Sequence, residues 1–154
     1  MNINAFKVVD KDTRYGTNWA IHHARLQRSL AVSQPATYQD LALHAIEVME
    51  TFVKANQEFF PIYKKDAIIE MAPDTVGLMT FDCYQTARTF TGLHAFDVMI
   101  LSVEIMGGLL PPNAEILTGC GSDIRSLKRI FSVEVERTPA PKGTLFCQKL
   151  KVLN

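Results

Sequence analysis

One stretch constrains this chain more than any other: Leu93-His94-Ala95-Phe96-Asp97-Val98-Met99-Ile100-Leu101-Ser102-Val103-Glu104-Ile105-Met106, the longest apolar run in the sequence. Upstream, Asp82 followed by Gln85 is an N-cap signature. Downstream, Gly107-Gly108 and then Pro111-Pro112 form a stop. Between those signals the run reads as the C-terminal half of a buried helix over about 83–106. Asp97 and Glu104, seven residues apart, then share one stripe of it, flanked by Leu93, Ile100, Leu101 and Ile105. A helix apolar nearly all round needs cover on every side: a sheet on one, and a loop, helix or second subunit on the other.

A second helix is written more openly. Thr37, with Asp40 three residues on, reads as an N-cap, and Tyr38, Leu41, Ala42, Ala45, Val48, Met49, Phe52 and Val53 recur at helical spacing to about Asn56. Gln39, Asp40, Glu47, Glu50, Thr51 and Lys54 take its other side. Strands are expected at Ile3 to Val9, at Ala67 to Met71 and Val76 to Phe81 as a hairpin, briefly at Glu115 to Thr118, at Phe131 to Glu136 with strict alternation, and at Leu145 to Leu153. In the last of these, Lys149 and Lys151 face away from Leu150 and Val152, and the last two strands are expected to pair antiparallel.

Leu43-His44-Ala45-Ile46-Glu47-Val48-Met49 matches Leu93-His94-Ala95-Phe96-Asp97-Val98-Met99 at five positions of seven. The match extends loosely, Val53 falling on Val103 and Ile68-Ile69 near Ile116-Leu117. That pattern suggests an internal duplication, in which each copy reads as helix, apolar-proline stop and strand. The fold expected is therefore α+β: one domain over residues 1–154, with an antiparallel sheet packed against two long helices, the second central and buried.

The totals narrow the class of function. Sixteen basic residues balance sixteen acidic ones, which gives no general attraction to nucleic acid or to an anionic membrane. The three cysteines, Cys83, Cys120 and Cys147, form no CxxC pair, which argues against a disulfide framework or a Cys-only zinc site and suits a reducing interior. Met1 to Ala5 lack the basic and apolar regions of a signal peptide, and the central run is too short to span a membrane. The expected location is the cytoplasm, with no membrane partner and no cofactor.

Chemistry could sit in three places. Asp97 and Glu104 would serve as general acid and base, or His94 with Asp97 as metal ligands; the bland alternative pairs these acids with Arg25, Arg28 or Arg125. Thr118-Gly119-Cys120-Gly121-Ser122-Asp123 precedes a basic helical turn, so Gly119, Gly121, Ser122 and Arg125 could hold an anion, and Cys120 could be a reactive thiol. The bland alternative is a cap on a short helix. Arg14, Trp19, Arg25 and Arg28 would suit a single-stranded nucleic acid, a partner that the neutral total does not favour.

Two functional expectations follow. The first is a non-enzymatic binding or assembly protein, homo-oligomeric, resting on the helix with no polar face. The second is an enzyme or sensor for a small phosphorylated or nucleotide-like ligand, bound at the Gly119 to Ser122 loop.

Overall fold

A computed structural model describes residues 2–16, 36–55, 57–58, 60–73, 77–91, 98–110, 115–116, 138–139 and 142–154. In chain order these form β1 (Ile3–Asp10), α1 (Ala36–Ala55), β2 (Ile68–Glu70), β3 (Leu78–Phe81), α2 (Tyr84–Thr91), β4 (Val98–Leu109), β5 (Glu115–Ile116), β6 (Thr138–Pro139) and β7 (Thr144–Val152).

The second long helix is not there. Its expected start is right: Ala87 N donates to Cys83 O at 3.2 Å, and Thr86 Oγ1 donates to Asp82 Oδ1 at 3.3 Å, so Asp82 and Cys83 do open a helix. That helix, α2, stops after eight residues at Thr91. It is rich in threonine, and the Thr89 and Thr91 hydroxyls donate back to Gln85 O and Arg88 O, a local bond that weakens helices. Gly92 follows in the sequence. From Val98 the chain is a twelve-residue strand. Val98, Ile100, Val103 and Ile105 are β-branched and fit a pleated surface better than a helix. A sheet packed against two long helices is thus replaced by an architecture dominated by strands.

Pairing closes those strands into a barrel. Phe6 pairs with both Phe81 and Ser102, so β1 lies between β3 and β4. Val103 pairs with both Ala5 and Val152, so β4 lies between β1 and β7. Leu150 pairs with both Ile69 and Ile105, and Cys147 with both Leu78 and Leu109. A strand has two edges; β4 takes one edge of β7, and β2 and β3 share the other in tandem. The circuit β1–β4–β7–β3–β1 is closed and antiparallel throughout. It also corrects the expected hairpin, because β2 and β3 do not pair with each other but follow one another along β7.

Gly107-Gly108 therefore works differently from a helix stop. Ile105 pairs with Leu150 and Gly107 with Lys149, which leaves Met106 as an extra residue. That β-bulge lets β4 bend from β1 toward β7.

Alternation along each strand sorts side chains to two faces. Inward go Ala5, Val9, Leu101, Val103, Ile105, Cys147, Leu150 and Val152, joined by Tyr63 and Ile69 in the main core. Outward, Phe6, Val8, Ile100 and Phe81 are roofed by Ala87 and Phe90 of α2. The Phe81 and Phe90 rings lie 4.9 Å apart, and Phe6 meets Tyr84 edge to face at 5.9 Å. Farther along the same outer face, Asn4, Glu104, Lys151 and Glu70 meet solvent. So β4 has a wet side, contrary to the all-round apolar rod expected of it.

The first expected helix is present as α1, with Thr37 inside it rather than at its cap. Asp40, Leu43, His44, Glu47, Val48, Glu50, Thr51 and Lys54 are exposed and Val53 is buried. Gln57 Nε2 donates to Val53 O and to Tyr15 Oη, fastening the end of the helix to the turn after β1. The duplication is not structural: Val48 and Met49 are helical, whereas Val98 and Met99 open a strand opposite Asp10 and Val9. Expected strands at the two ends of the chain match β1 and β7, and Glu115-Ile116 pairs with Thr138-Pro139. Phe131 to Glu136 lies outside the described residues.

Candidate functional site

Of the site residues suggested by sequence, Glu104 is described. It lies on the outer face of β4, opposite Asn4 and next to Lys151, and its Oε1 accepts a hydrogen bond from Asn2 Nδ2 at 2.9 Å. It is a half-exposed surface carboxylate, not a buried acid paired with an arginine. His94, Asp97, Gly119, Cys120, Gly121, Ser122 and Arg125 lie outside the described residues, as do Trp19, Arg25 and Arg28. Arg14 is committed internally: its Nε donates to Tyr63 O at 2.7 Å and its Nη2 to Asn154 O at 2.8 Å. Among the described residues no three His, Cys, Asp or Glu side chains gather as a metal site, and no helix is long and apolar enough to cross a membrane.

Two places stand out instead. The first is a rim. Beyond Ile105, β4 has outrun β1, and past the Met106 bulge Gly107 and Leu109 pair with β7 alone among the described strands. Residues 106–109 are all exposed, Leu109 at 50% and Met106 at 38%. Ile3, opposite Ile105, adds a third exposed apolar side chain, at 38%. Backbone groups on an uncovered strand edge beside apolar side chains form a template for another strand.

The second is inside the barrel. Lys7 shares the inward face with Ala5 and Val9 and stands directly opposite Leu101. It is 7% exposed. Its Nζ donates to Met79 O at 2.7 Å and lies 4.9 Å from the centroid of the Tyr63 ring, which is itself buried. Cys147, also buried, donates to Leu78 O at 3.6 Å. Burial pushes the Cys147 thiol up to about 11 and the Tyr63 phenol well above its ordinary value, so both stay protonated at neutral pH. Lys7 thus has a carbonyl, a ring and a neutral thiol around it, and no anion among the described residues. Desolvation lowers it to about 8.

A cover lies over this amine. Asp10 Oδ1 accepts from the amides of Asp12 and Thr13, and Arg14 N donates to Asp10 O, which turns the chain after β1. Arg14 takes a left-handed φ of 60°, an uncommon conformation for a residue with a side chain. Tyr15 then bridges Ile62, and Gly16 bridges Val9. A Cβ at position 16 would stand 3.6 Å from Lys7 Nζ and 3.4 Å from Tyr63 Cε2, so glycine backbone closes over the ammonium.

Sequence reasoning passed over Lys7, yet a signal existed. In Ala5-Phe6-Lys7-Val8-Val9 one charge interrupts an apolar strand at a position that alternation assigns to the same face as Ala5 and Val9. Compared with protein-family models, with curated proteins and with solved structures, the chain matches none.

Proposed function

We propose that this chain is a binding or assembly module that works through the rim at Met106 to Leu109 and associates with copies of itself. The buried apolar helix that first suggested assembly is gone. What supports the reading now is the exposed edge of β4 past the bulge, where Met106, Leu109 and Ile3 present apolar side chains beside backbone that only β7 pairs among the described strands. Closed barrels remove edges; among the described strands this one leaves an edge at its longest strand, and added strands bind by completing such ladders. A self-complementary contact of two rims is an isologous dimer.

Sedimentation from micromolar to millimolar protein tests this. Wild type is expected to self-associate, and Leu109→Asp to remain monomeric with an unchanged fold, because Leu109 is already half exposed. A wild-type chain that stays monomeric over the whole range would remove the proposal.

A further inference from the structure

Lys7 is placed where an amine can react rather than where it solvates a surface. An ammonium carries three N–H donors. One goes to Met79 O, and a Tyr63 ring face lies within reach of another. No carboxylate compensates the charge among the described residues, so burial enlarges the share of neutral amine, the form with a free lone pair, while the ammonium still predominates at pH 7. Beside it are two groups that burial keeps protonated, the Tyr63 phenol and the Cys147 thiol. A desolvated lysine is a recurrent nucleophile toward carbonyl compounds.

We propose that Lys7 is a covalent site for a small aldehyde, reached when the Arg14 to Gly16 turn lifts away. The Nζ lone pair adds to the carbonyl carbon, and the carbonyl oxygen takes up a proton. The carbinolamine then loses water and leaves a C=N bond to Nζ. One water is released, and no oxidant or reductant is required. Size is limited because the Tyr63 ring lies 4.9 Å from Nζ and the Gly16 backbone closes over it, which favours a ligand of a few carbons.

Access is set by Arg14. Its side chain ties the turn to Tyr63 O and Asn154 O, while Tyr63 N donates to Arg14 O at 2.9 Å. Against these bonds stands the left-handed backbone of the same residue. The site is independent of the rim and does not rest on self-association.

Glycolaldehyde followed by borohydride reduction, with peptide mapping by mass spectrometry, tests the proposal on the full chain. Exposed lysines such as Lys11, Lys64 and Lys142 serve as internal references. The Lys7 peptide is expected to carry the reduced two-carbon adduct first at pH 7.5, at least about tenfold faster than the references, since far more of it is neutral. Its rate should level off above about pH 8. Arg14→Ala is expected to raise that rate several-fold, and Gly16→Val, which places bulk over Nζ, to lower it. Circular dichroism confirms that each variant is folded. Labelling of the references with Lys7 untouched, in wild type and Arg14→Ala alike, would overturn the proposal, as would a Lys7 rate that climbs in parallel with theirs to pH 10.

Discussion

Gly77 shows how much a single position can carry. It takes φ +95°, and a Cβ there would meet Cys147 O at 2.9 Å and the Leu110 side chain. Backbone oxygen in a barrel strand cannot give way. Gly77→Ala should therefore cost about 1–3 kcal/mol, read as a lowered urea midpoint with an unchanged slope. The exposed Glu70 to Lys149 pair is the opposite case. Its 2.7 Å contact holds the Glu70 carboxyl below its usual range, yet both partners are solvated. Glu70→Gln is expected to leave the midpoint where it is. Chemistry at the two described cysteines should divide in the same way. Cys83 is exposed and Cys147 buried with a raised thiol. Iodoacetamide at pH 8 should alkylate Cys83 in the folded chain and reach Cys147 only on unfolding, because the thiolate is the reacting form. Equal labelling of the two would mean that the barrel wall opens freely.

At the scale of elements, β4 is the test of the architecture. Helix and strand make different predictions for its side chains. Leu101 and Glu104, three apart, would share a helical face, whereas in a strand Leu101, Val103 and Ile105 lie together and Ser102 and Glu104 lie opposite. Leu101→Ala and Ile105→Ala should each cost about 2–5 kcal/mol and Ser102→Ala and Glu104→Ala little, so the urea midpoints should alternate residue by residue. Costs recurring every third or fourth position would bring the helix back. The strand was in fact legible. Leu101-Ser102-Val103-Glu104-Ile105 alternates just as Phe131-Ser132-Val133-Glu134-Val135 does, and in the second that alternation alone predicts a strand. Flanking signals concealed the first: a real helix start at Asp82-Cys83, a Gly-Gly that suits a helix end as well as a bulge, and the resemblance of residues 93–99 to residues 43–49. Helix caps report where helices start and not how far they run. Short apolar strands such as β1 and β7, by contrast, were placed within a residue or two, since nothing nearby competed with their period. Barrel closure was not legible, because it depends on β7 receiving three partners, and pairing between distant segments leaves no local pattern.

For the molecule as a whole, closure of the barrel is what makes Lys7 matter, and pH can measure it. Lys7 falls from its ordinary value of 10.5 to about 8 in the folded chain. Between those values the unfolded chain holds a proton that the folded chain has released, so folding becomes more favourable as pH rises. Cys147 acts oppositely: raised from 9.0 to about 11, it keeps a proton that the unfolded chain loses, and stability falls above about pH 9. Tyr63, raised above 10.0, adds to that fall at higher pH. Wild-type stability should accordingly climb from about pH 8 to pH 9, level off where the lysine and the thiol oppose each other, and fall above about pH 10. Lys7→Met isolates the lysine, because Cys147 and Tyr63 remain in both proteins. At pH 7 the variant is expected to be the more stable, since replacing a buried, uncompensated charge with an apolar side chain of similar volume removes its desolvation cost. The advantage should shrink as pH rises, by on the order of 3 kcal/mol over the full window. Urea unfolding of both proteins at half-unit steps from pH 7 to 10.5 follows the closing gap. Parallel curves would mean that water already reaches the ammonium, and a barrel that admits water to Lys7 is not closed by the Phe6 to Phe81 pairing that joins β1 to β3.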